Sequence, residues 1–291
     1  MEEFKYNMIP LSYSPRQVNK IKSLEESHSA FEKANEAHEL LARLRELLIK
    51  YKKNDEFGFS LLHRHFPLEL DIDCKQLLVE LDNVATPWAL LDLDMHTDID
   101  PTKHQLDVAG YIKYKNGVIH PTSWMVVETD GSIGLMPYEF AFVPNTSTFT
   151  KAITPAQLHS SDFIRAYVAL VKQRELQDVV ALTLLPDIDI DGAVEHTVGK
   201  ANILTLRGQH NVASPEHPAD EKHRHNIQAS FFWPTNADGM VPYKAKGSDC
   251  EGWETCKATV AATGKVKDDQ ALSRNTAGVD SMHGQISAAV Y

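Results

Sequence analysis

The chain has 291 residues, 43% hydrophobic and 24% charged, an ordinary globular composition with enough apolar side chains for a full core. A formal net charge of -11 repels phosphate backbones and anionic lipid surfaces, so neither nucleic acid nor a membrane is an expected partner. The start, Met1 to Lys5, has no basic cluster or apolar run of the secretory kind. The 3 cysteines, Cys74, Cys250 and Cys256, form no disulfide framework, which points to a reducing, cytoplasmic setting.

Ser14-Pro15-Arg16-Gln17 reads as a helix start, with Ser14 as cap and Pro15 at the first helical position. Ser23-Leu24-Glu25-Glu26 repeats the capping pattern. From there to about Lys53, Phe31, Ala34, Ala37, Leu41, Leu44, Leu48 and Tyr51 recur at helical spacing. This predicts one long amphipathic helix whose stripe packs on its own domain or, in a homo-oligomer, on a partner copy's equivalent helix.

Asn54-Asp55-Glu56 ends that helix, and Phe57 to Phe66 reads as a buried strand. Asp107 to Tyr114 alternates as a strand, Val118 to Glu128 is its return strand and Ile133 to Val143 a third, with turns at Asn116-Gly117 and Asp130-Gly131. A second helix starts at Thr154-Pro155-Ala156-Gln157. Strands resume at Val179 to Leu185, Thr197 to Leu206, Ile227 to Trp233 and Trp253 to Val260. The expected fold is α+β: a mainly antiparallel sheet, barrel- or sandwich-like, with a long N-terminal helix and one further helix. The expected organisation is a helical segment over residues 1–56, a core domain over 57–264 and a tail over 265–291.

Fourteen histidines invite a search for a site. Gly58-Phe59-Ser60-Leu61-Leu62-His63-Arg64-His65-Phe66-Pro67-Leu68-Glu69 is the strongest candidate. On a strand, His63 and His65 share one face ~7 Å apart, while Arg64 points the other way, towards a carboxylate. Glu69 supplies a third ligand, and two imidazoles with a carboxylate suit a divalent transition metal, iron, manganese or zinc. The spacing resembles the first metal motif of the cupins. It departs from that motif in the position of the upstream glycine, the lack of a closing glycine and the lack of a second motif. A structural reading, with both histidines bonded to backbone groups, stands beside the metal reading.

Weaker patterns accompany it. His223-Arg224-His225 ends a charged loop. His96-Thr97-Asp98, with His196 and Arg207, resembles the ligand pattern of iron and 2-oxoglutarate oxygenases. Asp187-Ile188-Asp189-Ile190-Asp191-Gly192 resembles half of an EF-hand loop, but Val198 stands where the glutamate belongs, so an acidic turn is the better reading. Cys74 follows Asp71 and Asp73, whose charge disfavours a thiolate, and Cys250 and Cys256 lack the spacing of a zinc knuckle.

The segment Phe57 to Phe66, with Thr86-Pro87-Trp88 and Pro137-Tyr138-Glu139-Phe140, resembles an uncharacterised fungal protein family sharing the Leu61-Leu62-His63-Arg64-His65-Phe66 stretch. That resemblance implies no activity and no site. The functional expectation is a metal-dependent enzyme acting on a small molecule through His63, His65 and Glu69. Its alternatives are a non-catalytic interaction protein with structural histidines and a metal-free enzyme using a histidine as acid or base.

Overall fold

The computed structural model describes residues 7–9, 11–35, 39–69, 76–89, 112–114, 117–129, 131–145, 161–208 and 224–253. They form thirteen strands and four helices. The strands are β1 (Asn7–Met8), β2 (Phe57–Leu61), β3 (Gln76–Leu81), β4 (Val84–Ala89), β5 (Ile112–Tyr114), β6 (Gly117–Thr129) and β7 (Ser132–Pro144). After them come β8 (Val180–Leu184), β9 (Val194–Val198), β10 (Ala201–Thr205), β11 (Arg224–Gln228), β12 (Ser230–Phe231) and β13 (Asp249–Trp253). The helices are α1 (Pro15–Val18), α2 (Leu24–Ala34), α3 (Glu39–Lys50) and α4 (Asp162–Gln173).

All thirteen strands join one sheet, ordered β11-β13-β9-β10-β4-β3-β7-β6-β8-β2-β12, with β1 beside β7 and β5 beside β6. The two ends of that order, β11 and β12, are one stretch of chain joined through Ala229. Ala229 accepts from Leu61 N at 2.8 Å on one side and donates to the Ser248 carbonyl at 2.9 Å on the other. The sheet therefore curls into a nearly closed barrel, which hides most of the edges that would otherwise pair with other chains. The α+β expectation and its barrel form agree with this. The sheet is mixed rather than uniformly antiparallel, because β3 runs parallel to β7 and β13 parallel to β9.

The long N-terminal helix is two helices. Ser23 begins α2 with a full capping box: its hydroxyl accepts from Glu26 N at 3.3 Å and the Glu26 carboxylate accepts from Ser23 N at 3.1 Å. Asn35 ends α2, and its side-chain oxygen accepts from Leu41 N at 3.1 Å in the first turn of α3. An asparagine that serves both helix ends breaks a run whose apolar spacing reads as continuous.

The stripe of α3 lies in the core: Leu40, Leu44 and Leu48 are buried with Phe57, Phe59, Trp124 and α4. Tyr167 of α4 stacks on Phe59 at 5.5 Å, and Phe163 sits 5.4 Å from Phe57. Leu44→Ala is expected to cost about 2–5 kcal/mol in urea unfolding, as a fully buried leucine does when it leaves a cavity. A loss under about 1 kcal/mol would show that this face is not core.

Two further differences concern hairpins. Thr197 to Leu206 is not one strand but β9 and β10 folded back on each other, turning at Gly199, whose φ is +58°. The β3–β4 hairpin carries no glycine at its turn. Asp82 and Asn83 take φ of +51° and +66°, the left-handed pair a two-residue hairpin demands.

Alternation along β2 and β8 sorts side chains to two sides. Phe57, Phe59, Leu182 and Leu184 join the apolar core under the helices, while Ser60 and Thr183 face the barrel interior. The interior wall thus carries small polar groups here, beside Leu61 and Leu184.

Candidate metal centre

His63 and His65 follow directly on β2. Leu62 N donates to the Val179 carbonyl at 2.8 Å and Arg64 N to the Lys22 carbonyl at 2.9 Å, which keeps the chain pinned beyond the strand's end. The i, i+2 alternation survives, and the two imidazoles stand edge to face with centroids 4.5 Å apart. Arg64 points away, as expected, but its guanidinium donates to the Asn19 carbonyl rather than to a carboxylate.

Both rings are oriented by their Nδ1 atoms. His63 Nδ1 lies 2.8 Å from the Leu61 carbonyl, which can only accept, so Nδ1 carries the proton and Nε2 a free lone pair. That Nε2 is buried and has no hydrogen-bond partner. His65 Nδ1 lies 3.2 Å from the Thr197 hydroxyl, and its Nε2 faces the Asn202 amide nitrogen at 3.3 Å. Metal-ligating histidines show the arrangement of His63, with one nitrogen tied to a supporting acceptor and the other free, whereas His65 Nε2 is engaged by Asn202.

The third member of the cluster is Cys250. One ligand atom from each of His63, His65 and Cys250 lies within 4.8 Å of the other two. Cys250 sits on β13 in register with Glu195 of β9, and its thiol donates to Glu195 Oε2 at 3.2 Å. The same carboxylate oxygen is 3.5 Å from His65 Nε2 and accepts from the Asn202 amide at 3.0 Å.

Burial shapes the charges. It lowers His63 and takes His65 down to about 3, His63 adding to the second effect, so both rings are neutral near pH 7. Burial, with the neighbouring Glu195 carboxylate, pushes the Cys250 thiol well up. Burial opposes charge on Glu195 as well, but the hydrogen bonds from Asn202 and Cys250 favour its charged form, and that carboxyl lies below its usual range.

Glu69 stands apart from this cluster. Leu68 N donates to Asn19 and Glu69 N to Gln76, which directs the chain outward, and the Glu69 carboxylate pairs with Lys200 at the surface. Among the weaker candidates, His196 is buried and its Nδ1 pairs with Glu251 at 2.7 Å. Asp187 to Gly192 forms a turn in which Asp189 accepts from Asp191 N at 3.1 Å. Arg224 and His225 open β11. His96, Asp98, His223, Cys74, Cys256 and the tail over 265–291 lie outside the described residues.

His63 and His65 line a cavity of about 370 Å³ inside the barrel, with Ser60, Tyr138, Glu139 and Glu195 among its other walls. Its mouth lies at the β3–β4 turn and the loop after β8, where Asp82, Asp187 and Ile188 are exposed. The volume falls near the lower end of small-molecule pockets, ~300–1,000 Å³. In the walls, burial raises the Glu80 and Glu139 carboxyls to about 7, with the Glu195 charge adding to both and the Glu80 charge to Glu139. No helix among the described residues is long and apolar enough to cross a membrane. No protein family, no curated protein and no solved structure matches the chain.

Proposed function

We propose that the chain is a metal-dependent enzyme acting on a small molecule, with His63, His65 and Cys250 as ligands and Glu195 beside them. The observation that carries this reading is the convergence of two imidazole nitrogens and one sulfur inside a barrel that also encloses a cavity. Three protein donors are the number found in catalytic rather than structural zinc sites. A thiolate among the donors favours zinc or iron(II) over manganese, which prefers oxygen.

The charges support it. A divalent ion with the Cys250 thiolate and the Glu195 carboxylate sums to zero, which limits the cost of burying the ensemble. Without a cation nothing nearby stabilises the thiolate, so Cys250 is a poor nucleophile on its own. A metal held there would supply Lewis-acid activation of water or substrate, and Glu195, hydrogen-bonded by Asn202, would be the nearby carboxylate to take the proton.

The test is metal analysis and zinc titration of protein purified without a histidine tag. One equivalent per chain is expected, lost in His63→Ala. Less than a tenth of an equivalent, with no uptake on titration, would sink the reading.

A further inference from the structure

We propose that the barrel cavity takes a small organic cation, an ammonium compound, held by the Glu139 and Glu80 carboxylates deep in its wall. This rests on the reading of the cavity as the small-molecule chamber beside the metal centre, and it names the substrate class of that chamber.

The composition of the walls carries the argument. Glu80, Glu139 and Glu195 line the interior, and Asp82 and Asp187 line the mouth. Among the described residues that line the cavity, none is a lysine or an arginine. Along those described walls an anionic ligand would meet five carboxylates and no lysine or arginine to pair with. A cation would be drawn in, because a cleft walled by one sign of charge focuses its field along the entry.

A second observation marks the chamber as built for a ligand. His63, only 8% exposed, is one of its walls and holds a buried Nε2 without a hydrogen-bond partner. Few buried polar atoms in a native protein go without a partner, and those that do call for a bound group.

The remaining walls suit a small ammonium compound better than a bare metal ion. Tyr138, Phe142 and Phe232 present aromatic surface, which favours the C–H groups and positive charge of an organic cation. Ser60, Ser123, Thr183 and Ser230 add hydroxyl acceptors for N–H donors. Glu139 and Glu80 stand on the paired parallel strands β7 and β3, two residues apart in register, since Glu139 faces Leu78 and Glu80 faces Ala141. An ammonium group between them can bond to both.

The test uses three probes of one shape: benzylammonium, benzyl alcohol and benzoate. Each is titrated calorimetrically at pH 7.5 into chelator-treated protein and into zinc-loaded protein. In chelator-treated protein, benzylammonium is expected to bind one equivalent at least tenfold more tightly than benzyl alcohol, with benzoate not binding. Glu139→Gln and Glu80→Gln are each expected to weaken benzylammonium tenfold or more, while circular dichroism confirms the fold. The proposal is overturned if benzyl alcohol or benzoate matches benzylammonium, or if both glutamine variants bind it as the parent does. Zinc uptake without benzylammonium binding overturns this proposal and leaves the metal centre standing. Benzylammonium binding without zinc uptake does the reverse.

Discussion

Cys250→Ser is expected to weaken zinc binding by about 10²–10³-fold while leaving the fold intact, read by competition with a chromophoric chelator. The substitution keeps a hydrogen-bond donor of similar size facing Glu195 and removes only the soft ligand atom. The pH dependence supplies a second signature. His63 and His65 are held neutral by burial and release no proton when they bind metal, whereas Cys250 is held as the thiol and must release one. Zinc affinity of the parent should therefore rise about tenfold per unit between pH 6 and 8. In Cys250→Ser the slope should flatten. Equal affinity and equal slope in the two proteins would remove Cys250 from the centre.

Glu139→Gln is expected to stabilise the protein at pH 8 by roughly 2–3 kcal/mol and to change little at pH 4, measured by urea unfolding. The folded carboxyl titrates at about 7, far above the ordinary range, because the barrel removes water from it. Between the unfolded and folded values the native state holds a proton that the unfolded state has lost. The favourable contribution is complete below the unfolded value and disappears as pH rises through 7. Above that, the native state buries a carboxylate that glutamine would not carry. His63 and His65 work in the opposite direction, because a histidine buried neutral costs stability as pH falls. The parent's own profile is thus a partial cancellation, and the variant's difference from it is the informative quantity. Glu80 and Glu139 influence each other, so the two glutamine substitutions should not add. A difference of the same size at pH 4 and pH 8 would show that Glu139 is not titrating as described.

A buried carboxylate that weakens the native state near neutral pH, in a cavity without a lysine or arginine among its described walls, is hard to explain as scaffold. Its location beside the His63, His65 and Cys250 cluster links it to the proposed chemistry.

Local features of the fold were legible in the sequence. The β6–β7 hairpin follows from two apolar runs either side of Asp130-Gly131, and the apolar stripes of α3 and α4 follow from helical spacing. The long-helix reading failed at Asn35, where a side-chain bond across the break substitutes for continuity. The β3–β4 hairpin went unseen because its turn uses Asp82-Asn83 in place of a glycine.

The centre divides along the same line. The pairing of His63 with His65 is legible in the sequence because their spacing is local. Cys250 and Glu195 were not, because strand pairing brings them there from far along the chain, and neither stands in a motif. Glu69 was chosen for its nearness in sequence. Gln76 and Asn19 bond the backbone there and carry the side chain out to Lys200. A lone cysteine with an aligned glutamate on a neighbouring strand leaves no trace until the register is known.

X-ray absorption spectroscopy of the zinc-loaded protein tests the central claim most directly. The account predicts one sulfur neighbour at about 2.3 Å with two imidazole nitrogens at about 2.0–2.1 Å, and loss of the sulfur shell in Cys250→Ser. A shell of oxygen and nitrogen alone, unchanged in Cys250→Ser, would contradict it.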